Sequence, residues 1–205
     1  MKLDKRDHII EVAERIFGEV GYEGASTRYL ATEAGVNIAM LNYYFGSKDG
    51  LLKAVLERRI NSMRQALVAI KEQPIPTWEK LTKALDIYLD RVLVNNSFHR
   101  LIHRELSLNQ RPEITETITN QVLNNINAIK AIIQEGIDNG SFRSVDVEMT
   151  IASILGTKYY ISNSTHISSR LLEMDLNEPN VLETQLRPRI KHFIQDYLQA
   201  YLLKK

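Results

Sequence analysis

Two carboxamides, Asn37 and Asn42, stand in one short run with Ile38, Ala39, Met40, Tyr43 and Tyr44. A carboxamide donates and accepts in one plane, which matches the major-groove edge of adenine at two points. Ile38, Ala39 and Met40 offer only apolar contact, best suited to a thymine methyl. No Arg or Lys lies between Asn37 and Phe45, so the guanine edge is poorly served. The expected target is a duplex whose contacted positions are rich in A·T. Just upstream, Thr27 and Arg28 precede the apolar-periodic residues Leu30, Ala31 and Ala34. The free N–H groups and the dipole at such a helix start favour a phosphate oxygen. A plain cap by the Thr27 hydroxyl is the alternative role.

These side chains need a frame, and the surrounding residues supply one. Thr27 opens a helix that Gly35 ends, because glycine readily takes the left-handed conformation of a sharp turn. Val36 is an apolar plug between two crossing helices, and Asn37 can cap the second. The helix from Ile38 to Phe45 has Leu41 and Phe45 one turn apart, facing inward. That leaves Asn37, Ile38, Ala39, Met40, Asn42 and Tyr43 at or near the outer side, the presentation a major-groove reading helix requires. Tyr43 and Tyr44 have two possible fates, burial against the first helix or a hydroxyl laid on the sugar-phosphate backbone. Upstream, Ile9, Ile10, Val12, Ala13, Ile16, Phe17 and Val20 form a helical stripe that stops at Gly21.

Gly21-Tyr22, Thr27 with Leu30-Ala31, Ala34-Gly35-Val36, and Leu41 through Tyr44-Phe45 to Ser47-Lys48 and Leu51-Leu52 are spread over most of residues 8 to 55. Together they resemble the DNA-binding domain of the TetR/AcrR family of transcriptional regulators. The resemblance implies a sequence-specific regulator, most often a repressor in that family, with a double-stranded DNA operator as partner. Lys48 matches the family's phosphate-contacting lysine, and Tyr44 matches the aromatic before its core phenylalanine. Further along, Glu135-Gly136-Ile137 through Asn139-Gly140-Ser141-Phe142 to Val145-Asp146 look like the join common in its effector domains. The resemblance there is one of pattern more than motif.

Helical periodicity dominates the whole chain, so the expected class is all-α: an N-terminal three-helix domain with a helix-turn-helix over residues 1–47, and a C-terminal helical effector-binding and dimerisation domain over 48–205. A long helix from Lys48 or Asp49 runs to Ile70 before Pro74-Ile75-Pro76 breaks it. Thr77 can cap the next helix, which Asn95-Asn96-Ser97 should close, and Phe98 to Leu108 follows as a shorter one. Glu113 to about Asp138 is a long helix stopped by Asn139-Gly140. Asp146 can cap a helix from about Val147 to Asn163. A polar stretch from Ser162 to Ser169 and the Asn177-Glu178-Pro179 loop lead to a last helix from about Leu182 to Leu203.

Within the C-terminal part, Trp78, Tyr88, Tyr159, Tyr160 and Asn163 are candidates to line an effector pocket, where aromatic walls and a few polar groups suit a small organic ligand. Packing is the competing role for each. His99 and His103 lie one turn apart, as do Arg100 and Arg104. A two-histidine metal pair and an anion clamp are both geometrically open. With no third ligand nearby in sequence the metal reading is set aside, and an ordinary surface or interdomain helix is preferred over the clamp. Ala152, Ser153 and Gly156 permit close helix contact. With Phe193, Ile194, Tyr197, Leu198 and Tyr201 they suggest that the last two helices pair with their counterparts across a two-fold axis. A homodimer so built would place two reading helices on successive major-groove faces, so the operator should be roughly palindromic.

Composition bounds the rest. The net charge of +1 argues against indiscriminate nucleic-acid binding, so phosphate contacts must come from a few placed donors. No apolar run approaches the length that spans a bilayer, and the charged first residues are unlike a signal peptide, so no membrane partner and a cytoplasmic location are expected. Without cysteine there is no disulfide, thiolate metal site or cysteine nucleophile. No phosphate loop, paired-metal Glu-x-x-His set or nucleophile elbow invites an enzyme reading, and no cofactor is expected. The expected function is a ligand-responsive DNA-binding regulator released from its operator by a small molecule. An effector-independent architectural or scaffolding DNA-binding protein is the alternative.

Overall fold

A computed structural model describes residues 4–94 and 96–204, leaving out the side chains of 92–97. In chain order the helices are α1 (Lys5–Gly24), α2 (Thr27–Glu33), α3 (Ile38–Phe45), α4 (Lys48–Lys71), α5 (Thr77–Val94), α6 (Asn96–Leu108), α7 (Pro112–Asp138), α8 (Val147–Asn163), α9 (Thr165–Leu172), α10 (Pro179–Val181) and α11 (Arg187–Leu202). A π-helical turn, Leu182–Leu186, lies between the last two. The all-α class read from the sequence holds, with no strand among the described residues.

The chain forms two compact units. One comprises residues 1–62 and 97–122, the other 63–96 and 123–205. The first unit is built on α1, whose Ile9, Ile10, Ala13, Ile16 and Phe17 recur at helical spacing and are all buried. Leu30 and Ala31 of α2, Leu41 of α3, Leu51, Leu52 and Val55 of α4, and Phe98, Leu101 and Ile102 of α6 complete the same core. Asp4 caps α1 by accepting from the Arg6 N–H, and Gly21, at φ 72° and ψ 175°, kinks it where the apolar stripe ends. In the second unit, Leu81, Leu85 and Leu89 of α5, Ile132 and Ile133 of α7, Ile151 and Ile154 of α8, and Ile190, Ile194 and Leu198 of α11 share one core.

Several local expectations change. Ser26, not Thr27, caps α2: its Oγ accepts from the Tyr29 N–H at 3.1 Å, and Thr27 is already the first helical residue. The polar stretch after Asn163 is mostly helix, because Ser168 turns inward and Ser169 Oγ accepts from the Leu176 N–H beyond the helix end. The last helix starts as a π turn, and its α-helical part opens at Arg187 with Pro188 next, so the missing N–H of the proline falls where the π turn passes into the α-helix. Asn95, expected to help close α5, lies outside the described residues, while Asn96 belongs to α6.

Candidate nucleic-acid interface

Gly35 takes φ 63°, and this left-handed turn swings the chain from α2 into α3. Val36 is half-buried against the first core, and Asn37 Oδ1 accepts from the Met40 N–H at 2.7 Å. Leu41 is the pivot: with none of its surface exposed it fixes α3 by one face. The opposite face is open. Asn37, Ile38, Ala39 and Asn42 are exposed, and Tyr43 is 83% exposed. Met40 is half-buried. Because the cap engages Asn37 Oδ1, an undivided two-point carboxamide contact falls to Asn42. Of the two tyrosines, Tyr43 projects outward, whereas Tyr44 is half-buried and packs on the first core with its ring edge-on to Tyr43 at 5.3 Å.

The start of α4 closes against the end of α3. Ser47 Oγ accepts from the Gly50 N–H, and a Cβ at Gly50 would run into the carbonyl oxygen of Phe45, so only glycine allows this approach. Lys48 is half-buried, with Nζ 4.0 Å from the centroid of the Tyr22 ring, and burial pulls its pKa below the usual lysine value. Tyr22 in turn hydrogen-bonds Asp49. Burial first, and this hydrogen bond second, push the phenol up to about 12.

Arg111, between α6 and α7, ties these pieces together. Its guanidinium lies 3.6 Å from the Tyr22 ring centroid and meets Glu23 at 2.8 Å, Asp49 at 3.3 Å and Glu105 at 2.9 Å. Although burial opposes the charge, hydrogen bonds to Glu23, Glu105 and Tyr22 leave its pKa well above the ordinary arginine value. Sequence reasoning missed this hub, since nothing local marks an arginine in a loop as the partner of residues dozens of positions upstream. Further along α4, Arg58 pairs with Glu11 at 2.7 Å and Arg59 with Glu14 at 3.1 Å. These two arginines are thus committed to holding α4 on α1. Arg28 remains exposed in the first turn of α2, beside half-buried Thr27.

The sequence candidates for an effector pocket divide between the two units. His99, His103 and Arg104 belong to the first unit, where α6 contributes Phe98, Leu101 and Ile102 to the core around α1 and the Arg104 guanidinium lies against the Gly21 kink. Both histidines are half-buried and Arg104 is exposed. Trp78, Tyr88, Tyr159, Tyr160 and Asn163 belong to the second unit. There Trp78 packs edge-on to Phe142 at 6.4 Å. Tyr88 is half-buried, and burial of its phenol pushes ionisation well above the usual range. Tyr159, Tyr160 and Asn163 are exposed. The inward face of α8 instead carries Thr150, Ile154, Lys158 and Ser162. Of the residues expected at a dimer interface, Ala152, Ser153, Gly156, Phe193 and Tyr197 are exposed and Tyr201 is half-buried. Ile194 and Leu198 are buried within the chain.

An exposed helix set by a glycine turn, with carboxamide, apolar and phenolic groups facing out, defines a helix-turn-helix DNA-binding protein. Residues 9–55 match the model of the bacterial regulatory proteins of the tetR family, and residues 78–191 match the tetracyclin repressor-like C-terminal domain. The chain belongs to the TetR family of transcriptional regulators. The HTH-type transcriptional repressor NicS of Pseudomonas putida is 28% identical over 182 residues, 83% of this chain and 82% of its own. The fatty acid metabolism regulator protein of Bacillus subtilis is 23% identical over 158 residues, 76% of this chain and 80% of its own. Among solved structures, the TetR family regulator PfmR from Thermus thermophilus has the same fold, with a TM-score of 0.73 at 20% identity over 96% of this chain and 99% of its own.

Proposed function

We propose that this regulator is a homodimeric repressor that binds a roughly palindromic operator and is released from it by a small molecule. The observation that carries the DNA-reading part is the polarity of α3, fully buried at Leu41 and open from Asn37 to Tyr43 on the other side. Asn42 reads an adenine edge, Ile38 and Ala39 meet thymine methyls, and Tyr43 lies on the sugar-phosphate backbone. Thr27 and Arg28 at the start of α2, with Lys48 at the start of α4, supply phosphate contacts. Lys48 does so only by extending past the Tyr22 ring, and Tyr44 supports Tyr43 from the inner side.

The two-fold pairing is supported by the outward face of α8, where Met149, Ala152, Ser153, Gly156 and Tyr160 recur at helical spacing, and by exposed Phe193 and Tyr197 of α11. Large apolar groups exposed around small residues are suited to close helix pairing. A cytoplasmic setting fits this role. An effector acts by preferring one of two conformers, and a ten- to hundredfold loss of operator affinity needs about 1.4 to 2.8 kcal/mol of such preference.

Selection of bound duplexes from a random library, followed by footprinting, tests the reading. The expected site is palindromic with A·T pairs at the central contacts, lost on Asn42→Ala and weakened on Tyr43→Ala. Half-sites dominated by G·C at those contacts would defeat the assigned α3 contacts. No preferred sequence at moderate salt would favour an architectural or scaffolding role instead.

A further inference from the structure

Lys158 is a lysine in the wrong surroundings for a lysine. On α8, one turn beyond Ile154, it is only 2% exposed, and burial is the sole influence found on its ionisation, with no neighbouring carboxylate opposing it among the described residues. Burial pulls its pKa down to about 8, so near neutral pH the group still carries its proton and its charge. An uncompensated ammonium in an apolar interior is costly, and such groups are ordinarily paired. Two further polar groups share this part of the second unit. Ser162, one turn further on the same face, is 6% exposed, and Ser168 of α9, which packs on α8, is fully buried with an Oγ that has no partner. A second copy of the chain cannot supply the missing charge, because Lys158 is already enclosed within one chain while the outward face of α8 is carried by Met149, Gly156 and Tyr160.

We infer that Lys158 is the anchor for the carboxylate of a small-molecule effector whose remaining body is apolar. The inference rests on the effector-responsive reading above and assigns its ligand class. A single ammonium balances one negative charge, and a carboxylate spreads that charge over two oxygens that can accept from Lys158 and a serine hydroxyl together. A phosphate carries more charge and more acceptors than one ammonium and two hydroxyls satisfy. The rest of the ligand shares the interior with Ile151, Ile154 and their neighbours, so apolar surface is what it can bury there.

The test uses the full-length protein with straight-chain and aryl carboxylates, each paired with its neutral primary amide, and two readouts: thermal shift and release from the selected operator. At least one carboxylate should stabilise the wild type and release DNA with an affinity roughly ten- to hundredfold above its amide, the range of a hydrogen bond to a charged group. Lys158→Met should still bind the operator, should melt higher than the ligand-free wild type, and should lose the preference for carboxylate over amide. If that variant does not fold, Lys158→Gln is expected to lose the preference in the same way. No shift with any carboxylate, equal shifts with acid and amide, or a preference that survives in the folded variant would each overturn the inference. Operator binding by the wild type is measured first. Its failure would strike the regulator reading, whereas intact operator binding without carboxylate preference would strike only the role of Lys158.

Discussion

Replacing Arg111 by methionine keeps most of the side chain's bulk and removes one charge from a cluster of three carboxylates. Those carboxylates are not equivalent. The side chains of Glu23 and Asp49 are 66% and 55% exposed, so each pair contributes at most about 1 kcal/mol in water. Glu105 is 3% exposed, and its two oxygens lie 2.9 and 3.2 Å from Arg111 Nη1. Arg111→Met therefore leaves one buried carboxylate without its cation, a loss of about 3–5 kcal/mol, most of it from stranding Glu105. Chemical denaturation at pH 7 of the single and double variants isolates the cause. Arg111→Met with Glu105→Gln should recover most of the loss, because no buried charge remains to be matched. Arg111→Met with Glu23→Gln should recover almost none. Equal recovery in the two double variants, or a loss below 1 kcal/mol for Arg111→Met alone, would refute the account of Arg111 as the counter-charge of Glu105.

Three other outcomes are expected. Gly50→Ala gains up to about 1 kcal/mol of helix propensity but forces α4 away from the Phe45 carbonyl, an overpacking cost of about 1–3 kcal/mol. It should lower the denaturation midpoint and operator affinity together, and a rise in both would contradict the close approach of α3 and α4. Gly156→Ala meets nothing within 4 Å in the single chain, so it should favour the α8 helix while weakening self-association in sedimentation equilibrium. Unchanged self-association would remove Gly156 from the interface. The third concerns pH. Because burial lowers the Lys158 pKa to about 8 in the folded state, the unfolded chain binds more protons between about pH 8 and 10. Ligand-free stability should thus gain a favourable contribution as pH rises through that window, on the order of 3 kcal/mol, and lose it as pH falls. Tyr88, pushed the other way by burial, opposes this gain only as pH nears 10, where the phenol of the unfolded chain begins to ionise. Lys158→Met should abolish the contribution, and identical pH profiles for variant and wild type would count against it.

The reading unit was legible because its signals are local. Gly35 ends α2, Asn37 caps α3, Leu41 faces the core, and the prolines at 74 and 76 stop α4, each within a few residues of the structure it controls. Ser26 was overlooked because the neighbouring Thr27 is an equally good cap on paper, and only the backbone conformation decides between them. Lys158 and Arg111 were hidden for a different reason. A lysine within a helix reads as solvent-facing and an arginine beside a proline reads as a loop residue, and their burial depends on helices brought from elsewhere in the chain. The same holds for α6. Its periodicity showed a helix, but not that Phe98, Leu101 and Ile102 belong with Ile9 and Phe17.

That allegiance of α6 bears on how such regulators can be recombined. An N-terminal piece excised at residue 47, or even at residue 62, would carry α3 intact yet leave uncovered the apolar surface that Phe98, Leu101, Ile102 and Ile118 normally shield. The portable module is discontinuous, residues 4–62 together with 97–122. Exchange of DNA specificity between relatives by a single crossover downstream of the motif therefore pairs a foreign reader with the resident α6. Natural or engineered hybrids should survive in proportion to how well those few side chains fit their new neighbours, rather than to overall sequence identity.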